Sequence, residues 1–309
     1  MSEGSPGDGL GWPVSTRTAT LVGSGLTAAL RGILELQPAA LVIETRGPVP
    51  EAGFVARRLG SARFPVLGVV GSLTRDGPAR PVGLDHPDPA EAAAAQSALA
   101  ASLSPLARLR CRRLLLPIGD GGVPGAPALR NLLPTIPEPA QAVREWKEMQ
   151  RPAREEAADR LIRRIDALAR LEPRVRFLLL PEGDPLTLLD EEVAGWILED
   201  LPVKNVGLVL ETGVLGLLET FGGPGVSAWL QLLGERVEMV VLADHDEKER
   251  ADLLPGAGVL RFSELADQLP RTVPWVIRGD PSAGEAFFRG CVDVLERALG
   301  RPPDLEGLT

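Results

Sequence analysis

Short runs of consecutive apolar residues alternate along this chain with longer stretches whose apolar positions recur every three to four residues. The apolar runs predict eight strands: Ala19–Gly23, Ala40–Thr45, Phe64–Gly71, Arg113–Ile118, Val175–Pro181, Asn205–Glu211, Val237–Ala243 and Val273–Arg278. Most of these runs are apolar throughout and do not alternate with polar residues. Strands that are covered on both faces have this composition, so the pattern indicates a parallel sheet enclosed by helices.

The segments between the predicted strands have helical periodicity. The longest predicted helix runs from about Pro139 to Leu171, with one apolar stripe and a charged opposite face. A helix over Pro89–Leu106 is expected to begin with Asp88 as its N-cap. A last helix over Ser282–Leu299 is expected to end at Gly300.

The strand–helix alternation predicts a single (β/α)8 TIM barrel in the α/β class. The barrel is expected to cover residues 16–301, after a flexible leader at 1–15 and before a tail at 302–309. A doubly wound open sheet is the alternative, but eight strand candidates without a Gly-rich fingerprint after the first favour the barrel. Two irregular stretches, 74–88 and 119–138, follow strands. We therefore expect both at the carboxyl-terminal face of the barrel, where such folds build their sites.

Composition narrows the possible partners. A net charge of −9 disfavours a general nucleic-acid surface, which is normally basic. The two cysteines, Cys111 and Cys291, are too few for a disulfide framework and are expected to be buried thiols. No signal peptide is recognisable, and no apolar run approaches the roughly 20 residues that cross a bilayer. We therefore expect a cytoplasmic protein with a small-molecule ligand, no nucleic-acid partner and no membrane.

Two motifs carry a family resemblance. The first is the turn Pro255-Gly256-Ala257-Gly258, followed by a short amphipathic segment and a last apolar strand that ends at Arg278. The second is the apolar run 206–210 that leads into Glu211-Thr212-Gly213. Together they resemble the closing unit and the sixth strand of the xylose-isomerase-like family of TIM barrels, which includes sugar phosphate isomerases and epimerases. The resemblance extends as a pattern over residues 18–300.

The resemblance implies a divalent metal, Mn, Zn or Mg, held at the strand ends by carboxylates and histidine. It also implies two glutamates that move a proton beside a substrate carbonyl. Carried onto this chain, Glu182 and Glu211 are the candidate catalytic residues, and both are candidate metal ligands. Asp244 and His245 are the other candidate ligands. The implied substrate is a small sugar or sugar phosphate.

The chain departs from the family pattern at several positions, and Glu211 itself stands where the family has an aspartate. Val214 and Val241 stand where the family has histidines, and Arg278 stands where the closing strand has a metal-binding glutamate. Two hypotheses follow: a divergent sugar phosphate isomerase or epimerase, and a non-catalytic barrel that has lost the metal site and serves binding or structural interaction. The related metal-dependent apurinic-site nucleases need more histidines than the two of this chain, His86 and His245.

The predicted strand ends nevertheless gather charged side chains. All of them would project toward one mouth of the barrel. These residues are Glu182, Asp184, Glu211, Asp244 and Arg278. Such a ring suits a polar or anionic ligand, with Arg278 and Asp184 as substrate-binding residues. The alternative is that these groups form a salt-bridge network among themselves. Whether Leu180 or Glu182 ends the fifth strand stays open, as does the choice of a ligand role or a solvent-facing loop for His245.

Overall fold

A computed structural model describes residues 10–16, 36–44, 65–70, 84–246, 250–279 and 285–305. Each strand pairs in parallel with the next one in sequence, and the last pairs with the first. The strands are β1 Val14–Thr16, β2 Leu41–Glu44, β3 Val66–Val70, β4 Arg113–Ile118, β5 Arg176–Pro181, β6 Val206–Glu211, β7 Val237–Leu242 and β8 Trp275–Gly279. The closed ring confirms the predicted (β/α)8 barrel and excludes the open sheet.

The barrel begins earlier in the chain than the sequence pattern indicated. Strands β2 to β8 lie within two residues of their predicted bounds. The predicted first strand, Ala19–Gly23, lies outside the described residues, and β1 belongs instead to the segment interpreted as a leader. Leu10, Trp12 and Val14 are buried there. A leader at 1–15 is therefore wrong for residues 10–15, because three strand residues beside a proline give too short a pattern to recognise.

The helices of the described ranges lie between the strands and after the last one. They are α1 Pro89–Arg108, α2 Ala126–Leu132, α3 Pro139–Met149, α4 Arg151–Leu171, α5 Glu191–Asp200, α6 Thr212–Thr220, α7 Val226–Leu233 and α8 Glu285–Leu299, with 3-10 turns at Leu133–Thr135, Gly234–Arg236 and Phe262–Leu265. None of them has the length and apolar character of a bilayer-spanning helix.

Two helix predictions need correction. The single helix predicted over Pro139–Leu171 is two helices that meet at Gln150, because Pro152 in the first turn of α4 has no N–H to continue α3. The stretch 119–138, predicted to be irregular, contains α2. Two cap predictions are confirmed: Asp88 accepts a hydrogen bond from Ala90 N, and Gly300 has the positive φ of a C-cap.

Alternation along each strand decides which side chains fill the barrel and which face the helices. On β6, Val209 belongs to the interior cluster while Leu208 and Leu210 pack outward under the helices. On β8, Val276 faces the interior, and Trp275 and Ile277 face outward. Successive strand residues point to opposite faces. The next inward positions are therefore Glu211 and Arg278, both at the carboxyl ends of their strands, an end that we call the mouth.

The opposite end of the barrel is covered by the C-terminal segment. Helix α8 returns the chain there, and Arg271, just before β8, donates hydrogen bonds to the carbonyls of Leu299 and Arg301. Leu305, which lies in the segment predicted to be a tail, packs against the interior cluster of the barrel.

Candidate functional site

Glu211 and Arg278 form a buried ion pair at the mouth. Glu211 is 1% exposed and Arg278 is 9% exposed. Arg278 Nη1 donates to Glu211 Oε1 across the strand that separates them. On that strand Val241 lies level with Glu211 and is also buried. The arginine that departs from the family pattern thus places its positive charge directly on a carboxylate of the predicted site.

Glu182 lies beside the end of the neighbouring strand β4. The β4–β5 pairing sets Ile118 level with Pro181, so Gly119 and Glu182 are the next residues on each strand. A Cβ atom placed on Gly119 would lie 3.8 Å from Glu182 Oε2 and 4.0 Å from Asp85 Oδ2. Strand β5 ends at Pro181, so Glu182 is the first residue of the following loop. It is half-buried, unlike Glu211.

Asp85 is a buried acid that the sequence did not reveal. It is 2% exposed, and Gly121 N donates to its Oδ2 at 2.7 Å. Burial raises the pKa of Asp85 above its ordinary value of 3.8, and the hydrogen bonds from backbone amides offset part of that effect. The polar sequence around it, including His86, resembles an exposed loop. His86 itself is half-buried, and its carbonyl accepts a hydrogen bond from Arg164.

Arg130 is a second residue that the sequence did not reveal, because it lies on α2 in a stretch without a helical prediction. Its Nε donates to Asp184 Oδ2 at 2.7 Å, and its Nη2 donates to Asp120 Oδ2 at 2.6 Å. The predicted substrate-binding residue Asp184 is 8% exposed. Arg130 therefore ties together the two loops that follow β4 and β5. The salt-bridge interpretation describes Asp184 better than an open substrate-binding role does.

Asp244 is an anchor for a loop. Its side chain is fully buried, at 0% exposure. Oδ1 accepts hydrogen bonds from the amides of His245 and Leu260, and Oδ2 accepts from the amides of Gly256 and Gly258, at distances from 2.9 to 3.0 Å. Four N–H donors occupy the lone pairs of a carboxylate. The predicted metal-ligand role of Asp244 therefore does not fit its contacts.

The same contacts explain the Pro-Gly-x-Gly motif in physical terms. Gly256 has a φ of 86°, a conformation that residues with a Cβ rarely adopt. A Cβ atom on Gly258 would lie 2.2 Å from the carbonyl oxygen of His245 and 2.5 Å from Asp244 Oδ1. Both glycines are needed for the loop to close on Asp244. The motif that carried the family resemblance is thus a structural element.

His245 does not face the mouth with the carboxylates. It is 5% exposed, and its ring lies so close to α6 that a Cβ on Gly216 would be 2.6 Å from its Cδ2 and Nε2 atoms. The prediction of a solvent-facing loop is therefore wrong, and the packing of the ring against α6 does not favour the predicted ligand role. Throughout the described ranges, no group of three or more His, Cys, Asp or Glu side chains is arranged to hold a metal ion.

No protein-family model and no curated protein sequence matches the chain. Solved structures do match it. The 3-keto-D-glucoside 4-epimerase YcjR from E. coli is 15% identical with a TM-score of 0.64, covering 92% of this chain and 98% of its own. A D-tagatose 3-epimerase-like protein is 11% identical with a TM-score of 0.65, covering 93% and 98%. A xylose isomerase domain protein from Planctomyces limnophilus is 15% identical with a TM-score of 0.56, covering 93% and 97%.

The fold is that of the xylose-isomerase-like barrels. One structure of this group, the IOLI protein, is described with a bound zinc atom; it is 13% identical with a TM-score of 0.63, covering 93% and 95%. The donor set at the mouth of the present barrel does not fit such an ion. Val214 and Val241 are buried and carry no lone pair, Asp244 is occupied by amides, and Arg278 brings a positive charge to Glu211.

Proposed function

We propose that this barrel binds a small sugar-type metabolite at its mouth. The observation that carries the proposal is that Glu182, Glu211 and Arg278 all lie at or just beyond the carboxyl ends of β5, β6 and β8. Ligands of TIM barrels bind at this end. Among the solved structures of similar fold are an L-ribulose 3-epimerase and a D-psicose 3-epimerase determined with D-fructose. Their substrates motivate the choice of ligand class.

The chemistry of the mouth suits a polyhydroxylated ligand. Carboxylate oxygens accept hydrogen bonds from sugar hydroxyls, and guanidinium groups donate to hydroxyl, phosphate or carboxylate oxygens. Glu182 is half-buried, and the Arg130 side chain is 18% exposed, so both can contact a ligand without leaving their positions. We therefore expect Glu182 to bind hydroxyl groups and Arg130 to bind an anionic substituent where the sugar carries one.

Thermal unfolding with a panel of ketohexoses, pentuloses and their phosphates tests this proposal. A ligand at a hundredfold excess over its Kd stabilises the folded state by about 2.7 kcal/mol, which raises the unfolding midpoint by several degrees. Glu182→Gln should weaken binding of the best ligand at least tenfold, whereas Asp267→Asn, an exposed change before β8, should leave it unchanged. The proposal fails if no sugar in the panel shifts the midpoint, or if both variants bind like the parent.

A metal-independent sugar isomerase or epimerase is the second candidate, and the position of Glu182 favours it. This half-buried carboxylate can remove a proton from the carbon beside a substrate carbonyl, and the electron pair of that C–H bond then moves to the carbonyl oxygen. The positive charge of Arg278 would stabilise the resulting enediolate. Return of the proton from Glu182 to the former carbonyl carbon, with passage of the neighbouring hydroxyl proton to the former carbonyl oxygen, completes an isomerisation.

Proton exchange separates this candidate from a non-catalytic barrel. With a bound sugar in D₂O, an active enzyme replaces the hydrogen next to the carbonyl by deuterium, which NMR detects. Glu182→Gln should abolish this exchange while retaining measurable sugar binding. A parent protein that binds sugar without exchange would support the non-catalytic barrel instead.

A further inference from the structure

The buried ion pair at the ends of β6 and β8 supplies a positive charge from within the chain. Glu211 and Arg278 occupy inward positions on strands that flank β7, and both side chains are almost fully buried. We propose that the Arg278 guanidinium is the resident cation of this mouth and that the site operates without a divalent metal. The proposal rests on the donor set and the ion pair, and it holds whether or not the ligand is a sugar.

The negative charge of buried Glu211 is balanced from within the chain. A buried carboxylate needs a positive partner, because taking the ionised group out of water is otherwise strongly unfavourable. Arg278 supplies that charge to Glu211 through a hydrogen-bonded pair. A metal ion coordinated by Glu211 would sit about 2.0–2.6 Å from its oxygen and therefore beside the guanidinium. Two positive groups repel each other strongly at such a separation in a buried site.

The predicted ligand positions also offer too few donor atoms to hold a metal ion. A zinc site needs about four ligands of suitable type. Val241 lies level with Glu211 on the strand that separates the two partners and offers no donor atom, and Val214 is buried with none either. The carboxylate of Asp244 is engaged by backbone amides, and the ring of His245 lies against Gly216. Of the four predicted ligands, Glu182 and Glu211 are left, which is too few.

Four variants, Arg278→Gln, Arg278→Lys, Glu211→Gln and the double variant Glu211→Gln/Arg278→Gln, test the proposal. Each is purified after growth with added Mn²⁺ and Zn²⁺, its metal content is measured, and its thermal midpoint is recorded with EDTA, Mn²⁺, Zn²⁺ or Mg²⁺. No sugar is present, so the result is independent of the proposed metabolite. The Glu211→Gln variant removes the carboxylate and serves as the matched control.

The parent protein should contain far less than one metal ion per chain, and its midpoint should be the same with EDTA as with each ion. Arg278→Gln should have a lower midpoint because the positive charge beside Glu211 is gone. A divalent ion should then restore part of that loss, by about 3 °C or more. Neither Glu211→Gln nor the double variant should respond to metal. Arg278→Lys keeps the charge and should stay insensitive to metal.

Stoichiometric metal in the parent protein, or a parent midpoint that rises with metal as much as that of Arg278→Gln, would overturn the proposal. An Arg278→Gln variant that keeps the parent midpoint and ignores metal would also overturn it, since the guanidinium would then not carry the charge balance. If Arg278→Gln does not fold, the metal content of the parent and the response of Arg278→Lys decide the question alone.

Discussion

At the scale of single residues, the mouth combines acids in different environments. Glu211 is buried against a guanidinium, Glu182 is half-buried in a loop, and Asp85 is buried with its charge offset by hydrogen bonds from backbone amides. Environments of this kind separate the roles that carboxyl groups can play. Glu211 is suited to keep the Arg278 guanidinium in position, and Glu182 is suited to contact a ligand.

Asp85 gives a prediction of pH dependence. Burial raises its pKa in the folded state above 3.8, so the unfolded chain loses this proton at lower pH than the folded protein. The contribution of Asp85 to stability is therefore fully present below pH 3.8 and is lost as pH rises through the folded pKa. Asp85→Asn keeps an oxygen that can accept from Gly121 N but removes the titration.

Urea unfolding of the parent and of Asp85→Asn between pH 4 and pH 8 measures this effect. The stability of the parent minus that of the variant should fall with rising pH, by at most about 1.4 kcal/mol per pH unit, and then level off. The exposed Asp267→Asn variant gives the reference profile. A difference that is constant, or that grows with pH, would show that burial does not control the titration of Asp85.

At the scale of elements, the loop from Leu254 to Leu260 depends on Asp244. Asp244→Ala would leave four backbone amides without their acceptor. Unsatisfied buried donors cost about 1–3 kcal/mol each, so we expect a loss of more than about 3 kcal/mol in the free energy of unfolding. Asp244→Asn retains one acceptor oxygen and should lose less. Denaturant unfolding measures both variants.

The control for this prediction is Asp267→Ala in the exposed segment before β8. Such a surface change is expected to stay within about 0.5 kcal/mol of the parent. If Asp244→Ala were no more destabilising than Asp267→Ala, the anchoring role of Asp244 would be wrong. Added Mn²⁺ or Zn²⁺ should change neither result.

The elements also show how far the sequence could predict the structure. Strand β4 was predicted with its observed bounds, because continuous apolar runs are diagnostic of covered parallel strands. Strand β1 was missed because its three residues make no run, and its pairing with β8 is a contact between distant parts of the chain. Helix α4 begins at Arg151 because of Pro152, a local signal that the long apolar stripe concealed.

The site was predicted less well than the fold. The inward positions of Glu211 and Arg278 follow from strand alternation, but their pairing follows from barrel closure across β7. Asp85 and Arg130 stood in polar stretches without periodicity, and only tertiary contacts reveal their burial and their partners. Asp244 and His245 lay in a charged sequence that resembled either a ligand group or an exposed loop. Their contacts with the glycine loop and with α6 could not be inferred from spacing.

At the scale of the whole molecule, the chain shares its barrel fold with several sugar epimerases at 11% to 15% identity. Continuous apolar strands separated by amphipathic helices are enough to specify the barrel, and many sequences satisfy this pattern. Function belongs to the few side chains at the strand ends. In this chain those positions hold an internal ion pair, a half-buried glutamate and an arginine that joins two loops.

The proposed role of Arg278 is to take the place of a metal ion beside Glu211. A crystal soaked in Mn²⁺ and measured at a wavelength where manganese scatters anomalously tests it most directly. We expect no anomalous peak within coordination distance, about 2.0–2.6 Å, of Glu211, and a guanidinium of Arg278 hydrogen-bonded to that carboxylate. A manganese peak coordinated by Glu182 and Glu211, with Arg278 turned away, would contradict it.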